Sequence, residues 1–127
     1  MTRVLVDTSV WVDHFRNRNN ALAHLIELDM ALVHPMVILE IACGTPPAPR
    51  EQTLSNLKQL QSSEQARLSD VMTFIDNENL YGLGCGLVDM VLLVSALITP
   101  GAVIWTMDKR LERLATQFNV SFQPVFH

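Results

Sequence analysis

The stretch VLVDTSVW, residues 4–11, decides the fold. Val4, Leu5 and Val6 make a short, β-branched-rich apolar run, which reads as a buried strand. Asp7, Thr8 and Ser9 stop it, and all three residue types suit a helix N-cap. A short helix is therefore expected through Phe15. The same strand, polar stop, helix order recurs along the chain. ALVH (31–34) reads as a second strand, and Pro35 opens the first turn of a helix that carries Glu40 and ends at Gly44. AVIW (102–105) reads as a further strand, stopped by TMD and followed by the amphipathic helix KRLERLATQF (109–118). A last short strand is expected in VSFQPV (120–125).

Between these units, ALAHLIELD (21–29), residues 51–60 and residues 64–80 read as amphipathic helices. Val88 to Ile98 reads as an apolar one. TPPAP (45–49) is a rigid break, and the glycine-rich YGLGCG (81–86) leads into the helix of Asp89. Short apolar strands alternating with helices predict an α/β fold. Its central parallel sheet should have about four to five strands covered on both faces. No linker interrupts the pattern, so residues 1–127 are expected to form one domain. In such sheets a site lies beyond the carboxyl ends of the strands.

A chain of 127 residues suits one core, and with 49% apolar and 17% charged residues it is no disordered tail. The net charge of −4 argues against a bulk electrostatic nucleic-acid binder but leaves room for an enzyme that grips nucleic acid locally. Cys43 and Cys85 form no C-x-x-C motif and are read as reduced, packed thiols. His14, His24, His34 and His127 follow no zinc spacing and are read as structural or exposed. The opening MTRVLVDTSVW lacks the apolar core of a signal peptide. The apolar run Met90–Ile98 is too short to cross a bilayer. A cytoplasmic protein with no membrane association is expected.

The cations are unevenly spread. None lies between Arg18 and Arg50, or between Arg67 and Lys109, so the helices of Glu40 and Asp89 carry acids with no cation on their own turns. A carboxylate taken out of water without a partner costs several kcal/mol or takes up a proton. A hard divalent cation shared by Asp7, Glu40, Asp89 and Asp108 would relieve four acids at once. Taken singly, Asp7, Asp89 and Asp108 also suit helix-capping positions, and the two readings stand side by side. Ser9 and Thr106 can support a ligand or a turn. Lys109, Arg110 and Arg113 can meet phosphate or merely solvate a helix face. Trp11 and Phe15, four apart on one helix, are read as core with an edge toward a partner.

Four blocks, LVDTSVWVDHF, HPMVILEIACG, GLGCGLVDMVLLVSAL and IWTMDKRLERLA, together resemble the acidic motifs of PIN-domain proteins, in particular VapC-type toxins of bacterial toxin–antitoxin pairs. The resemblance runs from Val4 to about Ala115. It departs only at Met107, where the family often has a polar residue. It implies a Mg²⁺- or Mn²⁺-dependent endoribonuclease that cleaves specific RNA of the tRNA or rRNA class by metal-activated attack of water on a phosphodiester. It further implies a homodimer, and a small cognate antitoxin laid across the cleft. By position Asp7, Glu40, Asp89 and Asp108 match the acidic quartet, with Thr8, Ser9 and Thr106 behind them.

Three other functions fit less well. A receiver-type phosphoacceptor needs paired acids after the first strand, and here Thr8 follows a single Asp7. A non-catalytic binding module would have no need of all four acids. A general nucleic-acid binder conflicts with the net charge.

Overall fold

The computed structural model describes residues 2–124. Strand β1 is Arg3–Val6, followed by helices α1 (Thr8–Asn17) and α2 (Asn20–Glu27). Strand β2 (Ala31–Val33) leads into α3 (Pro35–Cys43), then α4 (Arg50–Lys58) and β3 (Gln61–Ser62). Helices α5 (Leu68–Glu78) and α6 (Leu87–Ile98), strand β4 (Ala102–Trp105) and helix α7 (Lys109–Gln117) complete the order.

The four strands form one all-parallel sheet in the order β3-β2-β1-β4. The chain grows from β1 to one side through β2 and β3, then returns to place β4 on the other side of β1. The strand order thus reverses between β1 and β4, where open α/β sheets leave a crevice beyond the strand ends. Val6 pairs with Trp105, so Asp7 and Thr106 emerge side by side.

Both faces of the sheet are covered. Val4, Leu5, Val6, Leu32 and Ile104 are fully buried or nearly so. Helix α6 is buried over Met90–Ala96, which is why it reads as apolar all round rather than as a stripe. Helix α7 is the opposite case: it buries only Leu111, Leu114 and Ala115, and its polar face is free for other contacts.

Three readings need correction. The helix expected from residue 64 begins only at Leu68. The Glu64 N–H donates to Thr99 Oγ1 at 2.9 Å and the Ala66 N–H to Ser95 Oγ at 3.1 Å, so this segment is moored to α6 by side-chain acceptors. Just before it, the exposed pair Gln61–Ser62 forms the short edge strand β3, which its polar sequence did not suggest. In the last segment, only a single parallel bridge links Ser121 to Ile104 among the described residues. Val125 and His127 lie outside them. Cys43 is exposed rather than packed, and Cys85 is half-buried.

Candidate metal-binding active site

The carboxyl ends of β1 and β4 are stitched together by hydroxyls. Ser9 Oγ donates to Asp7 Oδ2 at 2.7 Å and Thr106 Oγ1 donates to the same oxygen at 2.8 Å. Each hydroxyl in turn accepts a backbone N–H: Ser9 that of Met107 at 2.9 Å, and Thr106 that of Asp108 at 3.0 Å. Asp7 is buried yet makes no side-chain cap to its own helix, so at this position the capping reading fails. Its charge is held by hydroxyl donors and turned toward the crevice.

The other acids arrive from three helices. Glu40 lies on the exposed edge of α3, not in its apolar interior, and Thr8 Oγ1 donates to its Oε1 at 2.6 Å. Burial therefore does not force Glu40 to find a partner, although burial was the ground for expecting one. Asp89 is half-buried in the first turn of α6 and its Oδ2 accepts the Gly86 N–H at 3.2 Å. Asp108 caps α7, its Oδ1 accepting the N–H groups of Arg110 at 2.9 Å and Leu111 at 3.1 Å. For Asp89 and Asp108 the capping role is real, and it leaves a second role open.

In all four acids the protein's hydrogen bonds fall on one oxygen. Asp7 Oδ1, Glu40 Oε2, Asp89 Oδ1 and Asp108 Oδ2 have no protein partner among the described residues. Among the described residues the buried, unpartnered side-chain atoms are Trp11 Nε1 and His34 Nε2, so neither Asp7 Oδ1 nor Asp89 Oδ1 is sealed in the interior. The acids also feel one another. Burial pushes the Asp89 carboxyl above the usual carboxylate range, the Gly86 N–H opposes this, and the charges of Asp7, Asp108 and Glu40 push it further up. The Cys85 thiol beside them is likewise raised, first by burial and then by Asp89 and Asp108.

This donor set fits a hard divalent cation: all oxygen, anionic, each carboxylate braced on one atom and free on the other. Among the described residues no three His, Cys, Asp or Glu side chains stand close enough to hold an ion by themselves. Mg²⁺ dehydrates reluctantly and is normally held by one or two carboxylates, its shell completed by water and substrate phosphate.

Two clefts lie beside residues of the site, and of the four acids only Glu40 lines either. One, about 490 Å³, lies between α1 and α3 and is lined by Thr8, Val12, Arg16 and Glu40. The other, about 670 Å³, follows α7 and is lined by Thr106, Met107, Lys109 and Arg113. The basic trio expected from the sequence is divided. Lys109 and Arg113 face this second cleft, whereas Arg110 donates to the Gly84 carbonyl at 3.3 Å. Gly84 has φ +89°, and a Cβ there would lie 3.0 Å from the Arg110 side chain, so the loop before α6 rests directly on the guanidinium. Arg16 was missed, although its spacing from Thr8 and Val12 puts it on the same face of α1. Trp11 and Phe15, with ring centroids 6.1 Å apart, border a third, apolar cavity of about 400 Å³ with Ile26, Leu57 and Leu60.

The PIN domain model matches residues 4–117. The chain belongs to the PIN-domain family. Within it the chain is of VapC type. Two strains of Mycobacterium tuberculosis carry a protein named Ribonuclease VapC32 that is 36% identical over 118 residues, spanning 93% of this chain and 94% of the relative. The PIN match takes in all four acids, both strand ends and the α7 cations.

Proposed function

We propose that this PIN-domain protein is the toxin of a type II toxin–antitoxin pair, a Mg²⁺- or Mn²⁺-dependent endoribonuclease acting on RNA of the tRNA or rRNA class. The observation that carries the reading is the arrangement of the four acids. Each has one oxygen braced by the protein and the other free, and Asp7 and Asp108 follow β1 and β4, between which the strand order reverses. The kinship with a protein named as a ribonuclease supports the substrate class. Thiols left unpaired and an RNA substrate fit a cytoplasmic protein, and residues 1–127 act as one unit.

The free oxygens of Asp7 and Asp89 would hold the cation, with Glu40 and Asp108 completing the anionic wall. When bound, such an ion withdraws charge from a phosphodiester and makes water nucleophilic near neutral pH. Ser9 and Thr106 fix which oxygen of Asp7 points into the crevice. Thr8 does the same for Glu40. Asp89, whose carboxyl is raised by burial and by its neighbouring acids, would gain from a cation that offsets its charge. Lys109 and Arg113 are placed to meet backbone phosphate.

The partner is a small antitoxin. The apolar cavity at Trp11 and the cleft at Glu40 share Phe15 as a lining residue, so one continuous segment can lie from the first to the second. A homodimer is the expected assembly. Leu68 and Met72, one turn apart on α5 and 62% and 60% exposed, supply an apolar face for it.

The test is cleavage of total cellular RNA by the purified protein with Mn²⁺, with Mg²⁺ and with EDTA, beside Asp89→Asn. Discrete fragments that need metal and vanish in the variant support the reading, and sequencing their new ends gives the target. Fragments that persist in EDTA, or in the variant, overturn it.

A further inference from the structure

The cations of this acidic protein are not evenly available. Arg3 donates to the Pro100 carbonyl, Arg18 to Asn20, Arg50 to the Ala42 carbonyl and Arg110 to the Gly84 carbonyl. The side chains of Arg16, Lys58, Arg67, Lys109 and Arg113 have no such bond among the described residues, and all five are exposed. Of these, Arg16, Lys109 and Arg113 line the two clefts: Arg16 with Glu40 and Thr8, Lys109 and Arg113 with Thr106 and Glu112. In the second cleft, next to Asp108 in sequence, Met107 is 47% exposed while its backbone N–H is fixed by Ser9 Oγ. An exposed thioether held in place beside two cations is suited to the face of a nucleobase.

We propose that a single-stranded RNA segment crosses the acid cluster from one cleft to the other, gripped by Arg16 on one side and by Lys109 and Arg113 on the other, with Met107 against the base next to the cleaved bond. The proposal rests on the nuclease reading and adds the direction of the strand, its grips and a base contact. Cations on both sides hold the phosphates that precede and follow the scissile one, which keeps that phosphate over four like charges that would otherwise repel it. Sequence-selective RNA recognition commonly works on unpaired, splayed bases.

The experiment measures binding of a labelled random-sequence single-stranded RNA pool in EDTA, between about 50 and 200 mM salt. Arg16→Gln, Lys109→Gln and Arg113→Gln should each weaken binding several-fold and reduce the log–log salt slope by about 0.7, the value for one phosphate contact on a single strand. Lys58→Gln, the same charge change at an exposed site away from both clefts, should alter neither. Met107→Ser should keep the slope, weaken binding, and change which sequences are cut when Mn²⁺ is supplied. The strand path is overturned if Arg16→Gln behaves like Lys58→Gln, if Lys58→Gln weakens binding as much as the others, or if a duplex competes equally with the pool. Metal-dependent cleavage alongside any of these results leaves the nuclease reading standing. A protein that neither binds the pool nor cuts any RNA brings down both.

Discussion

Thr106 Oγ1 donates to Asp7 Oδ2 at 2.8 Å, joining two residues 99 positions apart across the seam between β1 and β4. The same oxygen accepts the Asp108 N–H at 3.0 Å, so one hydroxyl sets the orientation of one acid and the backbone of another. Thr106 is buried, so leaving its partners unpaired is costly.

Thr106→Val keeps the shape and removes both bonds. The expected loss is about 1–3 kcal/mol of stability, the usual cost of leaving buried polar groups unpaired. Removing a group that orients a metal ligand typically costs about 10–100-fold in metal affinity. Denaturant unfolding and Mn²⁺ titration calorimetry check the two effects separately. An unchanged Mn²⁺ affinity would mean that Asp7 holds no metal.

Asp89 has its carboxyl raised by burial and by three neighbouring acids. A raised folded value means that the folded state binds the proton more tightly than the unfolded chain. The associated stability is therefore present below the ordinary value of 3.8 and is lost as pH rises through the folded value. Near neutral pH the ionised Asp89 strains the metal-free protein. Asp89→Asn should raise its melting temperature at pH 7 and abolish cleavage, while the amide oxygen can still accept the Gly86 N–H. In the unaltered protein Mn²⁺ should stabilise by about 2.7 kcal/mol at a hundred times its Kd. Thermal melts with and without Mn²⁺ measure both, and a melting temperature indifferent to Mn²⁺ would count against the site.

Glu40 is exposed, and its side chain's only hydrogen bond among the described residues is the one from Thr8 Oγ1. Glu40→Gln should shift stability by no more than about 0.5 kcal/mol, as for other surface changes. The same substitution should sharply reduce metal-dependent cleavage. A Gln variant that cuts RNA at the native rate would remove Glu40 from the site.

His34 caps α3, its Nδ1 accepting the Met36 N–H at 3.0 Å, while Nε2 is buried without a partner. Burial lowers its pKa below the ordinary 6.5. The unfolded chain then binds the proton first, so His34 costs stability as pH falls from about 6.5 through the folded value. His34→Asn retains an N-cap acceptor and cannot titrate. Its unfolding free energy should vary less between about pH 7 and about pH 5 than that of the unaltered protein. An equal slope would show that another group governs the acid limb.

The repeated strand, polar stop and helix made the parallel α/β architecture legible, because buried parallel strands are short apolar runs and their helices begin with capping residues. Of the four strands, β3 escaped notice: a two-residue polar edge strand has no periodicity to read. The late start of α5 escaped as well, since the hydroxyls that moor residues 64 and 66 lie on α6.

The sequence by itself determined which acids lack cations on their own turns, and it put two of them just beyond strand ends. Only the tertiary structure decided how each is used. Glu40 proved exposed rather than buried, and Asp7 proved to be held by hydroxyls rather than serving as a cap. The basic trio on α7 split: Arg113 is four residues from Lys109 and three from Arg110, so spacing allows either pairing, and the loop at Gly84 takes Arg110 away. Spacing fixes the face of an element. What that face meets depends on strand order, here the reversal between β1 and β4 that brings Asp7 against Thr106.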